Sequence, residues 1–133
     1  MSFIIAAGSS LFVGVALGAF GAHGLKETLL ASGRVEVWDA AVLYQLLHGL
    51  ALLAAGIWRR CDPAAESSRA LRLAGGCWLA GTVLFSGSLY VLSLGGPAWL
   101  GPITPLGGLL FLIGWAALIV AGCTRAPART SGE

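Results

Sequence analysis

The chain has 133 residues, of which 57% are hydrophobic and only 11% charged, and its formal net charge is +2. An average soluble domain carries roughly 25% charged residues, so a water-facing globule is excluded and a single membrane domain over 1–133 is expected. The weak positive balance is clustered rather than striped along a face, so it leaves no electrostatic footprint for nucleic acid.

Residues 1–25 contain no Asp, Glu, Lys or Arg, and 3–22 read as a first spanning helix. A signal peptide is disfavoured because no basic residue precedes the run and its length exceeds the usual core of roughly 7–15 residues. Ala7, Ser10, Gly14, Gly18 and Gly21 line one face. Gly14 and Gly18 form a small-xxx-small step, which lets backbones approach where lipid gives no hydrophobic drive. The connection 24–39 mixes charges with Leu25, Leu29, Leu30, Val35 and Val37. It reads as a short interfacial helix ending near Gly33, either a cover over the bundle mouth or a plain amphipathic linker.

A second charge-free run, 40–58, separates Asp39 from Arg59. Leu43, Leu46, Leu50, Leu53 and Ile57 form a lipid-facing stripe at helical spacing. Ala41, Tyr44, His48, Ala51 and Ala55 lie opposite, with Gln45 at the edge. The third run, 73–124, is too long for one crossing, since about 20 residues span the hydrocarbon core. Gly95-Gly96-Pro97 and Gly101-Pro102 divide it into spans 73–94 and 104–123. Thr82, Ser86, Tyr90 and Ser93 make a polar stripe on the first of these. On the second, Gly107, Gly114 and Ala121 repeat at the spacing of a left-handed seam. The expected fold is an all-α, integral-membrane four-helix bundle.

Basic residues orient it. Arg59, Arg60, Arg69, Arg72, Arg125 and Arg129 lie on one face, and only Lys26 and Arg34 on the other. The positive-inside rule then puts both termini and the 59–72 loop in the cytoplasm, in the inner (plasma) membrane. Trp38 and Trp99 fall at the outer interface and Trp58 at the inner one. Cys61, Cys77 and Cys123 lie toward the reducing side without the paired spacing of a zinc site, and read as ordinary small buried thiols.

Polar side chains converge in the outer half. His48 is nine residues from Asp39, or about 14 Å at 1.5 Å per residue, near mid-membrane. Tyr44 and Gln45 lie shallower on the same helix, and His23 and Thr104 sit at the outer ends of the first and fourth helices. With Thr82, Ser86 and Tyr90 from the third, these eight form a candidate polar pocket. An intramembrane histidine is a functional-site hypothesis by default. The competing reading is a neutral ring bonded to Tyr44, Ser86 or a backbone carbonyl that fixes helix register. His23 has a similar structural reading, capping carbonyls exposed at a helix end. A metal shared by His23 and His48 lacks further ligands, because Glu27, Glu36 and Asp39 are at the interface. Neither a metal nor a cofactor is expected. The glycine faces (Gly14, Gly18, Gly21, Gly107, Gly114) serve packing, within the chain or between chains.

Several blocks taken together resemble a known family: Gly18-Ala-Phe-Gly-Ala-His-Gly-Leu25, Tyr44-Gln45-x-x-His48, Leu84-Phe-Ser-Gly-Ser-Leu-Tyr90, and Ile103-Thr-Pro-Leu-Gly-Gly108 with Gly114-Trp115. They resemble, in order over about residues 8–118, the domain-of-unknown-function 423 family. That family takes in small YgdD-like bacterial inner-membrane proteins and eukaryotic transmembrane protein 256. The resemblance implies a four-span membrane protein and carries no activity with it.

Three function classes follow. The first is a non-catalytic component that packs with or supports a partner complex. The second is a module that binds or transports a small molecule, lipid, quinone or proton in the outer pocket. An enzyme ranks last, because no intramembrane carboxylate pair, Ser-His-Asp set or metal cluster is visible. Expected partners are membrane lipid and other membrane proteins or further copies of the chain.

Overall fold

With no charge or proline to interrupt it, the first run forms helix α1, Phe3–Ala22. The structure is a computed structural model and describes residues 2–124; Arg125, Arg129 and both chain ends lie outside the described residues. The short helix α2, Lys26–Ala31, follows. It closes where Gly33 takes a left-handed φ of 65°. There Arg34 N–H donates to Leu29 O and Gly33 N–H to Leu30 O, a Schellman closure that satisfies the last carbonyls.

Helix α3 runs Val35–Cys61, longer at both ends than the expected 40–58. The reason is electrostatic. Glu36 in its first turn and Arg59 and Arg60 in its last complement the helix dipole, so the charged ends continue the helix. Within the arginine-rich loop lies one further turn, α4, Pro63–Ser67. Asp62 caps it by accepting from Ala64 N–H at 2.9 Å, and Pro63 occupies the first position, where no N–H is needed. Helix α5, Arg69–Ser93, begins at Ser68, whose hydroxyl accepts from Leu71 N–H at 3.2 Å. It ends at Gly95, φ 85°, in a second Schellman closure. A single 3-10 turn at Ala98–Leu100 leads into α6, Ile103–Cys123. Four of these segments are long and apolar enough to cross a membrane.

Neighbours in sequence are neighbours in space. Helix α1 packs on α3, α3 on α5 and α5 on α6, while α1 and α6 barely approach one another. Each glycine singled out in the sequence faces another helix of the same chain. An ideal Cβ on Gly14 would lie 2.9 Å from Leu46, on Gly18 3.2 Å from Val42, and on Gly21 2.2 Å from Trp38 Nε1. On α6, a Cβ at Gly107 would lie 2.4 Å from Phe85 N and one at Gly114 2.5 Å from Trp78 Nε1. The apolar core, built around Leu52, Leu71, Trp78 and Phe111, fills the half nearer the arginine-rich loop. Phe12, Val83, Leu112 and Ile119 are among the large apolar side chains left exposed.

Several expectations need correction. Because α3 is gripped on two sides, by α1 and α5, its buried face is wider than one stripe. Gln45 is buried rather than at the edge, whereas Tyr44 is 41% exposed. Leu46 lies against Gly14 instead of facing lipid, and Leu53 packs on the core. Trp38 is buried over Gly21, its N–H donating to Leu17 O at 3.1 Å, so it is no interfacial belt residue. Of the three free thiols only Cys77 is buried. Cys61 and Cys123 are exposed at helix ends that run past the packed core.

Candidate functional site

The eight polar residues expected in one pocket do not converge: five of them fall into three clusters, set by the order of the helices, and three stand apart. In the first, Gln45 on α3 bridges its two neighbours. Its Nε2 donates to Ser10 O on α1 at 3.0 Å, and its Oε1 accepts from the Tyr90 hydroxyl on α5 at 2.8 Å. Tyr90 in turn sits edge-on to Trp38, ring centroids 4.7 Å apart. Arg34 closes this end by donating to Leu92 O, near the carbonyl end of α5, where a cation is favoured by the helix dipole.

The second cluster surrounds His48. Its Nδ1 lies 2.8 Å from Tyr44 O, and Trp115 Nε1 on α6 lies 3.2 Å from its Nε2. An indole N–H only donates and a carbonyl only accepts. One tautomer therefore satisfies both contacts: Nδ1 carries the proton and Nε2 offers a lone pair. The imidazole also stacks on Phe111, centroids 3.5 Å apart and planes 9° from parallel. With both nitrogens and one face engaged, a neutral His48 ties α3 to α6, helices that otherwise hardly touch.

The third cluster is the hydroxyl pair Ser88 and Thr104, 2.7 Å apart, between α5 and α6. The remaining members stay outside all three. Thr82 donates to Trp78 O of its own helix. The Ser86 hydroxyl is buried without a partner among the described residues. His23 is exposed at the end of α1. No group of three or more His, Cys, Asp or Glu gathers at metal-holding distance among the described residues.

What the structure provides instead of a central pocket is a groove of about 690 Å³ on the flank of the bundle, between α3 and α6. Leu43 and Leu47 form one wall, Leu109 and Leu112 the other, and Phe85, Phe111 and His48 the floor. Tyr44 and Trp115 edge it, 41% and 37% exposed. Tyr44 packs on Phe85, centroids 4.6 Å apart. Of the eight expected residues only Tyr44 and His48 line this groove. Sequence reasoning missed Trp115, Ser88 and Ser10. The signal for Trp115 was present: an indole far inside a span, away from either interface, needs a partner for its N–H. The Ser10 contact is through backbone and left no signal.

With this geometry in place, comparison with known proteins is direct. Residues 17–108 match the family described as "Protein of unknown function (DUF423)". The chain belongs to the DUF423 family. The DUF423 protein is 44% identical to a UPF0382 membrane protein of Staphylococcus aureus, over 90% of this chain and 93% of that one. It is 40% identical to the UPF0382 membrane protein YwdK of Bacillus subtilis, over 90% and 94%. With a UPF0382 membrane protein of Haemophilus influenzae it shares 43% identity over 80% and 82%. No solved structure matches it. Together with its four apolar helices, these likenesses make the DUF423 protein a membrane protein.

Proposed function

We propose that this DUF423 protein is a non-catalytic membrane component whose flank groove binds an apolar molecule carrying one polar group, of the quinone or prenyl-lipid class. Tyr44 carries the reading. Its ring edges an otherwise apolar groove, and its hydroxyl makes no hydrogen bond to another described residue. A phenol open to hydrocarbon is costly without a partner, and a bound carbonyl or hydroxyl supplies one. Phe85 and Trp115 offer ring surface to a flat ligand. The volume falls within the roughly 300–1,000 Å³ usual for ligand sites. Gln45 with Tyr90, His48 with Trp115, and Ser88 with Thr104 are meanwhile engaged across helices, which supports a role in holding helices rather than in turnover. Proton handling has less support, since both His48 nitrogens are already bonded.

A partner helix is the second reading. It is favoured by Gly108, where a Cβ would meet nothing closer than Phe85 at 3.8 Å, so another backbone can come near. For orientation we infer the arginine-rich face to be cytoplasmic and the membrane to be the inner (plasma) membrane, supported by the positive-inside rule.

Native mass spectrometry after gentle extraction tests the groove. Wild type should retain a defined apolar mass that Gly108→Leu, which fills the groove, loses without a drop in melting temperature; Tyr44→Phe should retain less. An unchanged spectrum for Gly108→Leu refutes the ligand reading. Loss of a co-purified polypeptide in that variant would instead support the partner helix.

A further inference from the structure

At the opposite end from the polar clusters, the start of α1 rests on the last turn of α3 and encloses a second cavity of about 400 Å³. Gly56 makes the approach possible, since a Cβ there would lie 3.1 Å from Ile4 N. Arg59 and Arg60 both line this cavity, with Phe3, Ile4 and Glu66. Arg59 is held from two sides. Its guanidinium carbon lies 4.8 Å above the Phe3 ring, and one terminal nitrogen donates to Glu66 O at 3.0 Å. Its Nε is buried and has no hydrogen-bond partner among the described residues. A buried guanidinium N–H left unmade is expensive, and the planar fork of Arg suits phosphoryl oxygens.

The α1 backbone adds donors at the same place. Ala6 N–H, bonded to Ser2 O, is the first intrahelical donor, and Ser2 makes no side-chain cap. The preceding N–H groups therefore have no acceptor within the helix, and the positive end of the helix dipole lies beside the two arginines. Among the described residues Glu66 is the only carboxylate lining the cavity, so two cations and a helix start outweigh one anion.

We propose that this cavity is a phosphate-binding site, with Arg59 and Arg60 as its cationic ligands. It lies where α1 begins and α3 turns charged, the level at which phospholipid phosphates meet a spanning helix. A soluble phosphate reaching the same face offers the same chemistry.

The test uses the full chain in nanodiscs of phosphatidylcholine with phosphatidylglycerol, read by native mass spectrometry, and in lipid-free detergent with inorganic phosphate, read by melting temperature. Wild type should retain phosphatidylglycerol over phosphatidylcholine, or be stabilised by phosphate alone; the first result assigns the site to a lipid headgroup and the second to a soluble anion. Arg60→Ala, at an exposed position, should keep the fold and weaken the response roughly tenfold, as loss of one charge-assisted contact predicts. Arg59→Lys keeps the charge but not the planar guanidinium fork and should also weaken it, while Glu66→Gln should strengthen it. Wild-type retention and phosphate response in Arg60→Ala overturn the site, even if Arg59→Lys fails to fold. So does a wild type indifferent to both probes.

Discussion

Gly107 and Gly108 are adjacent on α6, yet the structure assigns them opposite responses to the same substitution. At Gly107 an added Cβ would lie 2.4 Å from Phe85 N, 2.8 Å from its Cβ and 2.9 Å from its Cα. Backbone cannot rotate away as a side-chain tip can, so α5 and α6 must move apart at this contact. Overpacking of this kind costs up to about 3 kcal/mol, offset by at most about 1 kcal/mol of helix propensity gained by Gly→Ala. Gly107→Ala should therefore destabilise by roughly 2 kcal/mol. At Gly108 the nearest atoms are the Phe85 ring carbons at 3.8 and 3.9 Å, ordinary contact. Gly108→Ala should be neutral or stabilise by up to about 1 kcal/mol. Unfolding by a denaturing detergent titrated into mild micelles, followed by circular dichroism, measures the difference. Equal stability of the two variants, or a more stable Gly107→Ala, would show that α5 and α6 do not meet at Gly107.

Gly21→Ala should destabilise as Gly107→Ala does, because the new methyl displaces the Trp38 indole from its place 2.2 Å away; a blue-to-red shift in tryptophan emission would report it. In a double-mutant cycle, Gln45→Leu and Tyr90→Phe should couple by about 0.6 kcal/mol and by no more than about 1.7 kcal/mol, the range for hydrogen bonds inside membranes. Additive effects would disconnect the 2.8 Å contact between them. Trp115→Phe removes the donor to His48 Nε2 and should lower stability by a similar amount, about 0.6–1.7 kcal/mol, without disturbing the Gln45 cluster; a loss in Gln45–Tyr90 coupling would contradict the separation of clusters. A membrane-impermeant maleimide should label the exposed Cys61 and Cys123 but spare Cys77. Labelling in inverted vesicles, and not in intact cells, supports the proposed orientation; the reverse pattern overturns it.

How far the sequence carries depends on which forces act. Helix existence is a one-dimensional property: charge-free runs, Gly33, Gly95 and the capping residues Asp62 and Ser68 all act locally. The span 3–22 therefore coincides with α1, and 73–94 and 104–123 differ from the observed helices only at their ends. Helix rotation is a different matter. Tyr44 and Gln45 are one residue apart, about 100° around the helix, and which of them turns inward depends on whether α3 has one neighbour or two. With α1 and α5 both packed on it, Gln45 takes the interior and Tyr44 the groove. Ser86 and Ser88 repeat the lesson. The four-residue stripe selects Ser86, whereas the hydroxyl that pairs with Thr104 is Ser88. The groove itself was invisible, since it arises from α3 and α6 meeting only through a few side chains around His48, and that gap is a product of the whole arrangement.

Photocrosslinking inside native membranes tests the central claim most directly. A benzophenone side chain would replace Leu112 in the groove wall, or Phe12 on the outer face of α1, which is 77% exposed and distant from the groove. A prenyl-type adduct at position 112, with only bulk phospholipid adducts at position 12, is the predicted result. Identical phospholipid adducts at both positions would mean that the groove is ordinary lipid-facing surface.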